Sequence, residues 1–341
     1  KSVPRADFVS AMAWVMVPAL IGPVIGPMVG GFIVTYLDWR WIFYVNLPLG
    51  VIGIALASHY IDDIREEIRR PFDGLGLLLS GTALASLLFA FETGGRGAAS
   101  PRTALVLLAV GLVTGALYIA HARRHAAPIL DLSLMRLKTF RLSVVAGGLA
   151  RITAGAMPFL LPMMMQLGFG MSAAHSGLVT FVSAAGAMAM KASAAPILRR
   201  FGFRNTLIWN SVIASAFLAI YATFRPDWPI AAVYLVLLIG GFSQSLQFTA
   251  YNTIAYAEVE RDRMSAATSF YTTMQQMMLS LGICVSASVL HVAVALSGRD
   301  TPGMADFSAA FLTVTSVSLL AAFVCARLPR DAGDDLTGRT Q

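Results

Sequence analysis

The chain has 341 residues, of which 57% are hydrophobic and 13% are charged, and its formal net charge is +7. Soluble domains average roughly 45–50% apolar and about 25% charged residues, so this composition excludes a soluble globular protein. The positive charge lies in short segments between apolar runs, which is typical of membrane topology signals and not of a nucleic-acid surface.

Ten apolar runs follow one another along the chain, and they predict ten membrane-spanning helices. Each is close to or longer than the 18 residues or so that a helix needs to cross the hydrocarbon core of a bilayer. The fold class is therefore all-α, a polytopic membrane protein. The predicted spans are about 8–36, 42–61, 74–91, 103–120, 142–166, 175–197, 205–224, 229–251, 264–296 and 307–326.

The distribution of basic residues predicts the orientation of these spans. Of the 25 Lys and Arg residues, 19 fall in one set of alternate loops, five fall in the other, and Arg151 alone lies within a span. Loops rich in Lys and Arg stay on the cytoplasmic side of a membrane. We therefore expect both termini of the chain to be cytoplasmic.

A motif of small residues and prolines occupies the first predicted span, where positions 22–31 read GPVIGPMVGG. Glycines every fourth residue form one stripe along which another helix can approach closely. Prolines beside that stripe remove backbone donors and bend the helix. Spacing alone is equally compatible with a plain packing motif and with a role in transport. The motif residues are Gly22, Pro23, Gly26, Pro27, Gly30 and Gly31.

Together with the segment DWRWIFYVNLPLG at 38–50, this motif resembles the fifth span and following loop of the 14-span drug:proton antiporters, the EmrB/QacA type of the major facilitator superfamily. The similarity continues through 128–132, 155–170 and 201–204, and it is greatest to the MdtD-like branch of that family. One departure is Arg199, which stands where the family's cytoplasmic loop motif usually has an acidic residue.

The resemblance implies a major facilitator type helical bundle, with ten of fourteen spans visible and four preceding Lys1. Residues 1–61 would then be the last two spans of the N-terminal bundle and 62–120 two intervening spans. Residues 121–141 would form a cytoplasmic amphipathic connector on the membrane surface. The C-terminal six-helix bundle would comprise 142–330, followed by a cytoplasmic tail at 331–341.

The resemblance also implies secondary active transport, namely export of drugs or other amphipathic small molecules from the cell. The energy source would be the proton gradient across the inner membrane, with no cofactor. None of the 18 acidic residues falls in the middle of a predicted span. The family places its membrane carboxylate in the N-terminal portion, so we expect the proton-coupling group there.

Arg151 is the strongest candidate for a functional residue, because it lies about nine residues into its span. A guanidinium inside a bilayer is costly and normally faces the bundle interior with a partner. Two polar stripes at helical spacing are further candidates, either lining a cavity or joining helices by hydrogen bonds. These stripes consist of Gln244, Gln247 and Tyr251, and of Thr268, Tyr271 and Gln275.

Motifs for other classes of function are missing from the sequence. It contains no P-loop, no HExxH and no nucleophile elbow, so we expect neither an ATP-driven pump nor an enzyme. His121 and His125 are four residues apart, but they lie in a basic segment with only Asp131 nearby, and we expect no metal site.

Two alternatives stay open from the sequence. An importer or facilitator of a metabolite would share the fold and would need a charged, selective pocket around Arg151. The second alternative is a membrane enzyme or a non-transporting scaffold. The identity of the substrate and the oligomeric state are not predicted.

Overall fold

The computed structural model describes residues 26, 28–60, 73–96, 100–125, 128–260, 263–329 and 332–333, and these segments contain helices joined by short turns and no strand. A 3-10 turn at Leu132–Arg136 precedes α6, and a π turn at Met164–Gly168 follows it. The helices are α1 (28–36), α2 (Trp41–Tyr44), α3 (Asn46–Tyr60), α4 (Gly74–Arg96), α5 (Pro101–Ala122), α6 (Lys138–Met163), α7 (Ala173–Phe201), α8 (Phe203–Tyr221), α9 (Ile230–Ile254), α10 (Met264–Ser297) and α11 (Met304–Cys325).

The predicted spans agree with these helices. Among the described residues, eight helical segments are long and apolar enough to cross a membrane, and a ninth, Gly74–Ala90, is slightly shorter. Most of the first predicted span lies outside the described residues, which include only its end as α1. The prediction of an all-α polytopic membrane protein is confirmed.

Helices α6 to α11 pack into one bundle. Within it α6 packs on α10 and α11, α9 packs on α7 and α8, and α8 packs on α11. The largest buried cluster includes Leu160, Leu237, Phe307 and Phe311, all fully buried. Helices α4 and α5 pair with each other, and α4 lies against α10. The intervening pair is therefore attached to the bundle through α10.

Reciprocal glycines lie at two close helix crossings of the bundle. A Cβ atom at Gly155 of α6 would collide with the backbone carbonyl of Leu279 on α10, and one at Gly282 with that of Ile152. The crossing of α7 and α9 repeats the arrangement with Gly186 and Gly241. Close backbone approach of this kind is the usual means of helix association in lipid.

Gly155→Ala is expected to lower the free energy of unfolding by about 1–3 kcal/mol, the usual cost of overpacking. The added methyl group meets backbone, which cannot rotate away. Gly81→Ala on α4 is the matched control, since a Cβ there would meet no atom within 4 Å in the part of the chain that the structure describes. Thermal unfolding in detergent should show a lower midpoint for the first variant only, and equal midpoints would contradict the described crossing.

Residues 128–137 of the predicted connector pack apolar side chains on the protein. Leu134 is fully buried, and Leu130 nearly so, in a cluster with Phe140 and Phe270. Tyr118 of α5 fixes the segment, because its hydroxyl accepts from the backbone N–H of Leu130 at 2.8 Å. Part of the amphipathic face therefore meets protein, and the position of the connector on the membrane surface stays a prediction.

Charged groups hold the same connector at its start and at its middle. Arg263 donates to Asp131 at 2.6 Å, next to the start of α10. Burial raises the pKa of Asp131, but hydrogen bonds from Ser133 and Arg263 outweigh this effect and leave it below its usual value. At the start, Asp73 contacts His121 at 2.7 Å. The connector is thus tied both to the bundle and to the intervening pair.

Candidate functional site

Arg151 lies at the centre of a polar cluster between α6, α9 and α10, and only 3% of its surface is exposed. Its Nη2 atom donates to Oδ1 of Asn252 at 2.9 Å. The same nitrogen lies 3.1 Å from the hydroxyl of Tyr271 and 3.2 Å from Oε1 of Gln275. One guanidinium therefore joins three helices through neutral acceptors.

Two aromatic rings complete the surroundings of this guanidinium. Its central carbon lies 4.8 Å from the ring centroid of Tyr271 and 5.1 Å from that of Phe248. A desolvated cation over an aromatic face gains about 2 kcal/mol. Gly147, one turn before Arg151 on α6, leaves space for the guanidinium, since a Cβ there would lie 2.5 Å from Nη1. In the described part of the chain, no carboxylate pairs with Arg151.

A cavity of about 660 Å³ opens beside this cluster, between α6, α7, α9 and α1. Phe248 lies between the two sites, because it lines the cavity and also covers the guanidinium. The described wall contains no charged residue. Its apolar part includes Val34, Ile42, Met157, Leu161 and Phe248, and its polar part Gln166, Ser176, Thr180, Ser183, Gln244 and Ser245.

Prolines shape the α6 side of the cavity. Pro158 and Pro162 both line it, and neither can donate a helical hydrogen bond. The carbonyls of Ala154 and Pro158 consequently lack their usual helical donors, which makes them available to water or a ligand. The π turn at Met164–Gly168 follows directly and ends the helix.

The structure divides the predicted polar stripes between several roles. Gln244 lines the cavity, whereas Tyr271 and Gln275 hold Arg151. Gln247 donates to the hydroxyl of Ser211 on α8 at 2.7 Å. The hydroxyl of Tyr251 lies 2.9 Å from the Cys325 sulfur on α11. Both alternatives named for these stripes, cavity lining and bonding between helices, therefore occur.

Part of the glycine–proline motif reaches the cavity. Gly30 and Gly31 line it, and Gly31 packs against the backbone of Ala173 at the start of α7. One turn later, the Thr35 hydroxyl accepts from the backbone N–H of Ala174 at 2.9 Å. A Cβ atom at Gly26 would meet no atom of the described residues within 4 Å. Gly22, Pro23 and Pro27 lie outside the described residues.

Two contributors to the cluster were not predicted from the sequence. Asn252 follows Tyr251 directly, and an amide inside an apolar span is itself a signal that could have identified it. Phe248 carries no such signal, because phenylalanine is ordinary in a membrane helix. Only its position one turn before Asn252 connects it with the guanidinium.

Comparison with known proteins agrees with this architecture. The sequence profile of the Major Facilitator Superfamily matches residues 1–283. The chain is 32% identical over 338 residues to a protein of Escherichia coli O6:H1, strain CFT073, provisionally named multidrug resistance protein MdtD. Homologues of the same name from E. coli K12 and Shigella boydii serotype 18 are 31% identical over 337 residues.

These alignments cover 97% of this chain and 70% of each relative. The family resemblance inferred from the motifs is thereby confirmed, together with its MdtD-like branch. A bundle of long apolar helices with a cavity between them is also what a secondary transporter requires. The chain belongs to the major facilitator superfamily.

Proposed function

We propose that this transporter exports amphipathic organic compounds from the cell in exchange for protons, and that the cavity between α6, α7, α9 and α1 binds the exported compound. The observation that carries the proposal is the composition of the cavity wall. About 660 Å³ is within the range of sites for drug-sized ligands, which are mostly apolar with a few polar groups.

The chemistry of the wall favours broad selectivity. Met157 is flexible and polarizable, and Phe248 offers an aromatic face. Gln166 and Gln244 can each donate and accept hydrogen bonds, so they suit ligands of different polarity. A compound with an apolar body and a few uncharged polar groups matches this wall.

We assign Arg151 a positioning role and not a direct contact with the substrate. Its guanidinium is already bonded to three neutral side chains and does not line the cavity. It acts instead through Phe248, whose ring it holds at the cavity wall. A metabolite importer would need a charged pocket around Arg151, and the neutral wall argues against that alternative.

Proton coupling rests on the similarity to the drug:proton antiporters. No carboxylate lines the described part of the cavity. We therefore place the group that binds and releases the transported proton elsewhere in the protein. Alternating access would occur by rocking of two helical bundles around a central site, as in other secondary transporters.

The proposed membrane is the inner membrane, with both termini of the chain in the cytoplasm. Tags placed after Gln341 or within 61–72 should report the cytoplasm, whereas tags near Gly95 and Gly298 should report the exterior. The uneven distribution of Lys and Arg motivates this expectation. Labelling of a cysteine at Gly95 from the cytoplasmic side alone would contradict it.

Everted membrane vesicles containing the full-length protein provide a test of the proposed function. On energisation they should take up a fluorescent amphipathic dye, and an uncoupler should abolish the uptake. Vesicles without the protein give the background. Uptake at background level with correctly folded protein, or uptake that persists with the uncoupler, would overturn the proposal.

A further inference from the structure

Three potential metal ligands come together at one end of the α4–α5 pair, far from the cavity in the fold. Asp73 precedes α4, while His121 and His125 lie at the end of α5. A ligand atom from each residue lies within 4.8 Å of the other two. The sequence separates Asp73 from the histidines by 48 positions or more, which is why no metal site was expected.

The two histidines are joined by a single helix-like backbone hydrogen bond at the end of α5. The backbone N–H of His125 donates to the carbonyl of His121 at 2.9 Å, so the helical turn continues to His125. Histidines four residues apart project from one helix face, as in helical zinc sites. Their rings lie 5.0 Å apart between centroids, tilted by 34°.

Asp73 supplies a buried oxygen opposite these rings. Its Oδ1 lies 2.7 Å from Nε2 of His121, and the residue is only 4% exposed. A metal ion can replace the proton between Asp73 Oδ1 and His121 Nε2. Without that proton, both atoms direct a lone pair at the same point. Ligand atoms around a tetrahedral zinc ion are about 3.3 Å apart, so metal binding requires Asp73 and His121 to separate by about 0.6 Å and the half-buried His125 ring to rotate toward them.

Backbone groups fix the carboxylate in the orientation that a metal would need. Gly76 donates to Oδ1 at 2.8 Å and Ile129 to Oδ2 at 3.4 Å. Outer hydrogen bonds of this type orient the ligands of metal sites and increase their affinity. The donor from Ile129 also couples the site to the connector.

We propose that Asp73, His121 and His125 bind a late first-row divalent cation, such as Zn²⁺ or Co²⁺. Two imidazole nitrogens and one carboxylate oxygen suit these borderline metals better than Mg²⁺ or Ca²⁺, which prefer oxygen ligands alone. Three protein ligands leave a fourth position for water. The bound ion would join α4, α5 and the connector, and would thereby stabilise the attachment of the intervening pair.

Cobalt titration of the purified full-length protein tests the site. The protein carries an affinity tag without histidine and is treated with a chelator beforehand, and Co²⁺ binding is followed by visible absorption. We expect one Co²⁺ per chain, displaced by Zn²⁺. His125→Ala should weaken binding at least roughly tenfold, and Asp73→Asn combined with His121→Ala and His125→Ala should abolish it.

His291→Ala is the matched control, because His291 is an exposed histidine on α10 outside the cluster. It should bind Co²⁺ like the wild type. Size-exclusion chromatography shows whether each variant is folded, and His125→Ala decides the question if the change at Asp73 disrupts the cap of α4. Equal affinity in the wild type and folded His125→Ala, or no binding by the wild type above the triple variant, would overturn the proposal.

Discussion

Replacing Arg151 by alanine is expected to reduce export at least roughly tenfold, the largest effect of any single substitution in the polar cluster. The change removes a charged donor, Nη2, that lies within 3.2 Å of three acceptors, and a hydrogen bond to a charged group contributes about 1.5–3 kcal/mol. A tenfold loss of rate needs only about 1.4 kcal/mol of this to reach the cavity through Phe248. Dye uptake into vesicles, normalised to folded protein, measures the effect.

Two further variants distinguish positioning from overall stability. Arg151→Lys keeps the charge but loses the planar guanidinium that lies over the rings of Phe248 and Tyr271, so it should restore export only in part. Lys191→Ala is the control for removal of a cation, because Lys191 is exposed and makes one hydrogen bond, to Thr249 at 3.0 Å. It should export normally. Normal export by folded Arg151→Ala would show that the cluster does not position the cavity.

Filling the cavity is the second change with a large expected effect. Ala184→Trp places an indole at the wall formed by α7, where the small side chain now leaves space for a ligand. We expect loss of export at least roughly tenfold for large dyes and a smaller loss for small ones. The reason is steric, since a close-packed wall cannot accept both the indole and the ligand. Uptake rates for dyes of graded size measure the effect.

Ala189→Trp provides the comparison on the same helix. Ala189 is exposed and does not line the cavity, so an indole there should leave export close to wild type. Similar losses in both variants would indicate a general defect of α7. No loss in Ala184→Trp would remove this cavity from the transport path.

The polar cluster also suggests how the cavity could be coupled to movement of the bundle. Arg151 of α6 reaches α9 through Asn252 and α10 through Tyr271 and Gln275. The glycine crossing of α6 and α10 lies on the same two helices. A displacement of α10 would therefore change the hydrogen bonds of Arg151 and, through Phe248, the shape of the cavity wall.

Much of the fold was predictable from the sequence, because apolar length alone identifies a helix that crosses a membrane. Arg151 was likewise predictable, since a charge within a span stands out against its apolar surroundings. The partners of Arg151 were predicted only in part. Spacing places Tyr271 and Gln275 on one face of α10, but it does not show which neighbouring helix that face meets.

The remaining features depend on the rotation of helices relative to one another. Gln244 and Gln247 are three residues apart, yet one lines the cavity and the other bonds to Ser211 on α8. Asp73 meets His121 only because α4 and α5 pair with each other. Contacts of this kind join distant parts of the chain, and residue spacing within one helix carries no information about them.

Protection of a single cysteine by the exported compound tests the central claim most directly. Cys284 and Cys325 are first replaced by serine, and one cysteine is introduced at Ala184 in the cavity wall or, as the control, at Ala189 on the exposed face. An excess of the transported dye should slow maleimide labelling several-fold at position 184 and leave position 189 unchanged. Equal labelling at position 184 with and without a dye that the same protein exports would contradict binding in this cavity.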